Sequence, residues 1–256
     1  MLELICTDSM RMLPALMERL KPCFDMIWLD PPYFDWDSGE KKPDHRDLSF
    51  YVSQLIKPNG AVFLCGTVPQ LVEDYRWWSR FFDLKFEITQ VKNFGSLPHP
   101  SYLYPLKRHE NIWCYVRKGE KPKLDLRRTS KSKGIESVRI EHKGTVFVSA
   151  GRVCTKAEVG YMSDVFECQK IVLGHPEYVG HPTQKPKELM RQIIRFSTEP
   201  GDWILDPFAG SGTTGIVAEE EGRNCLMMEL KKEYIQMIKK RMDKLKKQPK
   251  ILDYTQ

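Results

Sequence analysis

Trp203-Ile204-Leu205-Asp206-Pro207-Phe208-Ala209-Gly210-Ser211-Gly212-Thr213-Thr214-Gly215 is the stretch on which the fold turns. A short apolar run ends in an acid, and a Gly-rich turn then opens a helical pattern that continues to Glu221. Such a run closed by Asp-Pro reads as a buried strand, because proline cannot donate to a sheet ladder. The glycines permit positive φ and a close backbone approach to a ligand, and the free N–H groups of the following helix favour a carboxylate or phosphate. The turn has neither the GxGxxG spacing of a dinucleotide site nor the Gly-Lys-Ser/Thr of a phosphate-binding loop, which argues against nicotinamide and ATP. The next apolar run, Cys225-Leu226-Met227-Met228, ends in Glu229. An acid at the tip of the second strand of such a unit is placed to accept hydrogen bonds from ribose hydroxyls.

The same device occurs near the other end of the chain, where Met26-Ile27-Trp28-Leu29 stops at Asp30-Pro31-Pro32-Tyr33. Further strand patterns cover 2–7, 60–65, 85–92 and 111–116. Helical patterns lie between and after the strands, at 10–20, 47–56, 69–81, 186–197, 213–221 and 231–247. This alternation predicts an α/β fold, a doubly wound and mostly parallel sheet covered on both faces. Ligands in such sheets bind beyond the carboxyl ends of the strands, where both acid-ended motifs fall.

The 256 residues, 41% of them hydrophobic, suffice for one such domain with an insertion. No run approaches the ~20 apolar residues of a membrane helix, and the N-terminus lacks the pattern of a signal peptide, so a cytoplasmic protein without membrane contact is expected. The seven cysteines are scattered, with no CxxC pair, and are expected to be buried thiols rather than disulfides or metal ligands. A net charge of +6 is unevenly spread. The lysines of 231–250 alternate with an apolar stripe, Tyr234, Ile235, Ile238, Met242 and Leu245, and read as the wet face of a helix. The basic residues between Lys121 and Lys156 lack that explanation, and the alternation of strands and helices breaks down from about 119 to 175, with short strand patterns at 137–140 and 145–148. Nucleic acid is the partner this segment suggests.

Taken together, the motifs resemble those of S-adenosylmethionine-dependent DNA amino-methyltransferases. Asp206 to Thr214 looks like their cofactor motif and Asp30-Pro31-Pro32-Tyr33 like their catalytic tetrapeptide; catalytic before cofactor is the permuted order of the β class. His181-Pro182-Thr183-Gln184-Lys185-Pro186 is similar to the class's segment that closes over the methionine end of the cofactor. Thr7-Asp8 stands where the family has a Gly-Asp pair whose acid lies by the adenine, here with Thr in place of Gly. The resemblance implies a Rossmann-like fold of the methyltransferase type, S-adenosylmethionine as cofactor, and no metal. It also implies three regions: a catalytic half at 1–118, a smaller target-recognition insertion at 119–176 and a cofactor-binding half at 177–256. The cofactor residues it implies are Asp8, Asp206, Phe208, Ala209, Gly210, Ser211, Gly212, Thr213, Glu229 and Leu230, with His181, Thr183 and Lys185.

The chemistry of the residues agrees. The lone pair of an amino group on a base is delocalised into the ring, so the nitrogen must be held with that lone pair facing the methyl donor. Asp30 can accept one N–H and the Pro31 carbonyl the other, in a direction stiffened by Pro32. Tyr33 can stack on an extruded base, recovering about 1–3 kcal/mol of the extrusion cost. Asp in the first position leans to adenine N6; cytosine N4 is the first alternative, and RNA, a protein amide or a non-catalytic DNA-binding role are the others. Double-stranded DNA is the expected partner, and a cognate restriction endonuclease and a homodimer are left open. Trp36, in the charged segment 34–46, is a candidate wedge or stacking residue, and Arg127, Arg128, Lys131 and Arg139 are candidates for DNA contacts. Three features are set aside. Pro22-Cys23 and Glu110-Asn111 resemble cytosine-C5 enzyme motifs but are badly placed, His109 reads as a surface or DNA-facing residue, and Trp77-Trp78 reads as core packing.

Overall fold

The computed structural model describes residues 1–33, 41–93, 108–129 and 163–247. Among these residues, eight strands form one sheet: β1 (Leu2–Cys6), β2 (Phe24–Leu29), β3 (Ile56–Gly66), β4 (Phe82–Lys92), β5 (His109–Arg117), β6 (Val165–Cys168), β7 (Trp203–Asp206) and β8 (Asn224–Glu229). Their spatial order is β1-β8-β7-β2-β3-β5-β4-β6, and β5 alone runs against the rest. Six helices complete the described fold: α1 (Ser9–Arg19), α2 (His45–Leu55), α3 (Val68–Trp78), α4 (Lys187–Ser197), α5 (Thr213–Glu220) and α6 (Lys232–Lys247). None of these helices is long and apolar enough to cross a membrane.

The expected doubly wound sheet is therefore present, and each face has its own core. Leu13 of α1, Leu48 and Val52 of α2, and Leu71 and Trp78 of α3 pack on Ile27, Leu29, Val62 and Leu205. On the other face, Leu189 and Ile193 of α4, Val217 of α5 and Ile238 of α6 pack on Met26, Trp28, Phe63 and Ile204. Strand β2 lies between β7 and β3 and is covered on both faces, so all six of its residues are buried and it is apolar except for Asp25, which pairs with Lys57. Truncating one of these side chains to Ala would cost about 2–5 kcal/mol. The stripe expected at the C-terminus packs as a core face, with Ile235 and Ile238 buried and Met242 against the cluster. Of the pair Trp77-Trp78, Trp78 is core as expected, its ring stacked on Tyr115 and its Nε1–H donating to buried His45 at 3.1 Å, whereas Trp77 is half-buried with the Arg76 and Arg80 guanidinium groups over its ring.

Of the expected insertion 119–176, the described ends are tied to the sheet. Residues 119–129 run along its amino end, where the Lys123 amide donates to the Asn59 carbonyl at 2.8 Å and the Asp125 amide to the Phe196 carbonyl at 2.9 Å. Leu126–Thr129 forms one 3-10 turn. Strand β6, for which no expectation was made, pairs parallel with β4 and closes the sheet's edge. The strand patterns at 137–140 and 145–148 lie outside the described residues.

Candidate active site

The chain moves outward from β2 to β3 on one side, while β7 and β8 fill the other. Neighbours β2 and β7 pair at Met26–Ile204 and Ile27–Leu205, so Asp30 and Asp206 leave adjacent strands at the same carboxyl end, where the winding reverses. A cleft of about 870 Å³ opens there, lined by both acids, Tyr33, Glu229, and residues of the Gly-rich turn and the 181–185 segment.

Asp30 is held at both oxygens. Its Oδ1 accepts the Tyr33 hydroxyl at 2.8 Å, and its Oδ2 pairs with the Lys185 ammonium. Burial and the Asp30 carboxylate push the Tyr33 hydroxyl well above the usual phenol range, so it stays a donor. Lys185 is almost enclosed, and a second carboxylate, Glu110 of β5, lies 3.4 Å from its Nζ. Burial favours the neutral amine, yet Asp30 and Glu110 outweigh it and hold Lys185 well above the ordinary lysine range. Burial likewise works against an ionised Glu110, but Lys185 and Lys92 bring it down to about 2.

The turn after β7 is braced from three directions. Glu229 Oε2 accepts the Gly210 amide and Oε1 the Lys231 amide, each at 2.8 Å. Gly210 (φ 51°) and Gly212 (φ 75°) are left-handed, which other residues rarely adopt. A Cβ on Gly210 would lie 2.9 Å from His181 Nε2, because the 181–186 segment crosses directly over the turn. From α6, Arg241 Nη1 donates to the Ser211 carbonyl at 2.6 Å and lies 3.2 Å from Thr213 Oγ1. Asp206 is fully buried, and its Oδ1 accepts the Phe208 amide at 3.1 Å. Burial raises its pKa to about 7 against the hydrogen bonds from Thr214 and Phe208.

The sequence model of a family described as DNA methylase matches residues 24–240, most of the chain. The protein belongs to the DNA methylase family. Among relatives of the methylase, the Type II methyltransferase M2.LlaDCHI of Lactococcus lactis subsp. cremoris is 30% identical over 267 residues, covering 94% of this chain and 89% of its own. The DNA adenine methyltransferase YhdJ of Escherichia coli (strain K12) is 54% identical over 67 residues, 26% of this chain and 23% of its own. The crystal structure of an M1.HpyAVI–SAM complex superimposes with a TM-score of 0.62 at 25% identity, covering 94% of this chain and 100% of that one.

Most residues named from the methylase's sequence line the one cleft: Asp8, Asp30, Pro31, Pro32, Tyr33, His181, Thr183, Lys185, Asp206, Phe208, Ala209, Gly210, Ser211, Thr213, Glu229 and Leu230. Gly212 is the N-cap of α5 behind them. Asp8 also caps α1, accepting the Met10 amide at 2.9 Å. Lys185 lines the cleft with its ammonium resting on the Asp30 carboxylate. Arg128 is not at the cleft: its guanidinium pairs with Glu199 at 3.0 Å and donates to the Lys123 carbonyl, just before β7 begins and thus at the opposite end of the sheet. There it braces the 119–129 segment against the turn after α4. Trp36, Lys131, Arg139 and the side chain of Arg127 lie outside the described residues.

The set-aside features divide. Cys23 precedes β2 beside Asp25 and Lys57, a strand's length from Asp30, as anticipated. His109 is exposed, next to Arg108, at the carboxyl end of the sheet. Glu110, however, belongs to the cleft through Lys185, and Arg241 belongs to the turn rather than to the wet face of α6. An acid opening an otherwise apolar strand was the available signal for Glu110. For Arg241 the helical pattern pointed the other way.

Proposed function

We propose that this DNA methylase transfers a methyl group from S-adenosylmethionine to adenine N6 of an extruded base in duplex DNA, with Asp30, Pro31 and Tyr33 as the residues that hold the base. The observation that carries the reading is that Asp30 and Glu229, from strand ends on either side of β7, face one cleft. Its volume is within the range of ~300–1,000 Å³ usual for small-molecule sites. The donor set suits a nucleoside bearing an amino acid: a carboxylate, Glu229, for ribose hydroxyls, and left-handed glycines that bring backbone close to a ligand. S-adenosylmethionine, when bound, supplies a methyl group already activated on a sulfonium.

The chain's own residues do the rest. Asp30 accepts one N–H of the amino group and the Pro31 carbonyl the other, which turns the nitrogen lone pair out of conjugation and towards the donor. Tyr33, with its hydroxyl tied to Asp30, offers a ring of fixed orientation against which the base stacks. The proton released after transfer leaves through the acceptor already in contact with the nitrogen. Asp in the first position of the tetrapeptide, together with the adenine activity in YhdJ's name, supports N6 over cytosine N4. Within the expected insertion 119–176, the segment between Thr129 and Ser163 is the part to which we assign target recognition, because 119–129 and β6 are tied to the sheet.

Incubation with S-adenosylmethionine labelled in its methyl group and mixed-sequence duplex DNA, followed by digestion to nucleosides, tests this. Label in N6-methyladenine, absent with Asp30→Ala, is expected. Label in N4-methylcytosine would overturn the choice of base, and no label in DNA would overturn the substrate.

A further inference from the structure

We propose that Glu110 is a positioning residue for methyl transfer: by holding the Lys185 ammonium between two carboxylates, it keeps that ammonium on Asp30 Oδ2 and so fixes Asp30 in one orientation. The inference rests on the amino-methyltransfer reading above and extends it to a strand outside the recognised motifs.

The geometry is a buried chain of alternating charge. Lys185 Nζ meets Asp30 Oδ2 on one side and Glu110 Oε2 at 3.4 Å on the other; Glu110 Oε1 in turn meets Lys92 Nζ of β4 at 2.5 Å. The Lys185 side chain is 7% exposed, and Asp30, Glu110, Tyr33 and Cys65 are the titratable groups facing it. A buried ammonium tends to shed its proton. Were that proton lost to hydroxide as pH rises, the neutral amine would no longer anchor Oδ2, and the Asp30 carboxylate, turned out of line, would lose its hold on the base. A second carboxylate opposes that loss by stabilising the ammonium, and Lys92 keeps the second carboxylate ionised. Removing Glu110 would therefore act on the chemical step and on its pH dependence.

The labelled-methyl assay on DNA, run from neutral to alkaline pH beside calorimetric binding of S-adenosylmethionine, tests this with wild type, Glu110→Gln, Glu110→Asp and the double variant Glu110→Gln/Lys185→Arg. Glu110→Gln is expected to lower kcat about 10- to 100-fold, with an alkaline fall in rate that begins at lower pH than in wild type, and cofactor Kd within about threefold. Glu110→Asp should lie between the two. The double variant, whose guanidinium does not lose its proton, should lack the early alkaline fall. A wild-type rate and pH profile in Glu110→Gln, a loss equal at every pH, or a parallel loss of cofactor binding would each overturn the inference. If Glu110→Gln does not fold, the shift of the Glu110→Asp profile decides in the same way. Failure of the wild-type protein to methylate DNA would instead refute the reading beneath it.

Discussion

Asp206 is buried at the start of the Gly-rich turn, and burial raises its pKa to about 7. Its folded pKa of about 7 stands above the ordinary value of 3.8, so the neutral acid is the form the fold favours. Its contribution to stability is then full below the ordinary carboxylate range and is lost as pH rises through about 7. Asp206→Asn, which cannot ionise, should match wild type in acid and exceed it by about 1–3 kcal/mol in mild alkali. Thermal melts across that range check this, and a difference independent of pH would refute it. Residues such as Asp206, Asp30 and Glu229 were legible in the sequence because each ends an apolar run, so chemistry and location were written together. Glu110 and Arg241 were not, because their meaning depends on partners brought near only by folding: Lys185 for one, Ser211 for the other.

The elements themselves were legible from periodicity, and most of the corrections concern their ends. Helix α2 begins at His45 rather than Asp47 because the Asp44 side chain accepts the Arg46 amide at 2.8 Å, a cap that an apolar pattern does not register. Strand β3 reaches back to Ile56 because that residue pairs with Phe24 across the sheet. Strand β6 was missed since it is four residues of half-exposed edge, too short to show a pattern. Helix α5 starts at a left-handed glycine with no side-chain cap, and Arg241 from α6 supplies the missing restraint on the turn. Burial lowers the pKa of this guanidinium despite Glu177 and Glu220, so it is retained at some cost. Arg241→Met should keep the packing of the stem, lower the melting temperature, and weaken cofactor binding by about 1–3 kcal/mol as the Ser211 carbonyl loses its charged donor. Calorimetric titration with S-adenosylmethionine measures this, and unchanged affinity would assign Arg241 to packing alone.

For the whole molecule, the sheet separates two kinds of basic residue. Lys92 and Lys185 meet carboxylates at the carboxyl end, and Lys123 and Arg128 tie 119–129 to Glu199 and Asp202 at the amino end. Charge counted along the sequence could not distinguish such internal pairs from groups left to meet phosphate. Arg128→Ala should lower the melting temperature slightly and leave both DNA affinity and its dependence on salt unchanged. A reduced salt slope in a binding titration would return Arg128 to the DNA.

The pairing of β2 with β7 joins strands from distant parts of the chain, since residues 30–202 lie between them. During synthesis β2 can acquire β3 early, yet its other edge stays without hydrogen bonds until β7 has emerged. That edge belongs to a strand whose every side chain is destined for the interior. The nascent chain thus carries a sticky, half-satisfied template for most of its translation, and closing so long a loop makes this step slow. The strand pair that brings the two acids together is also where the protein is most exposed to misassembly before it is complete.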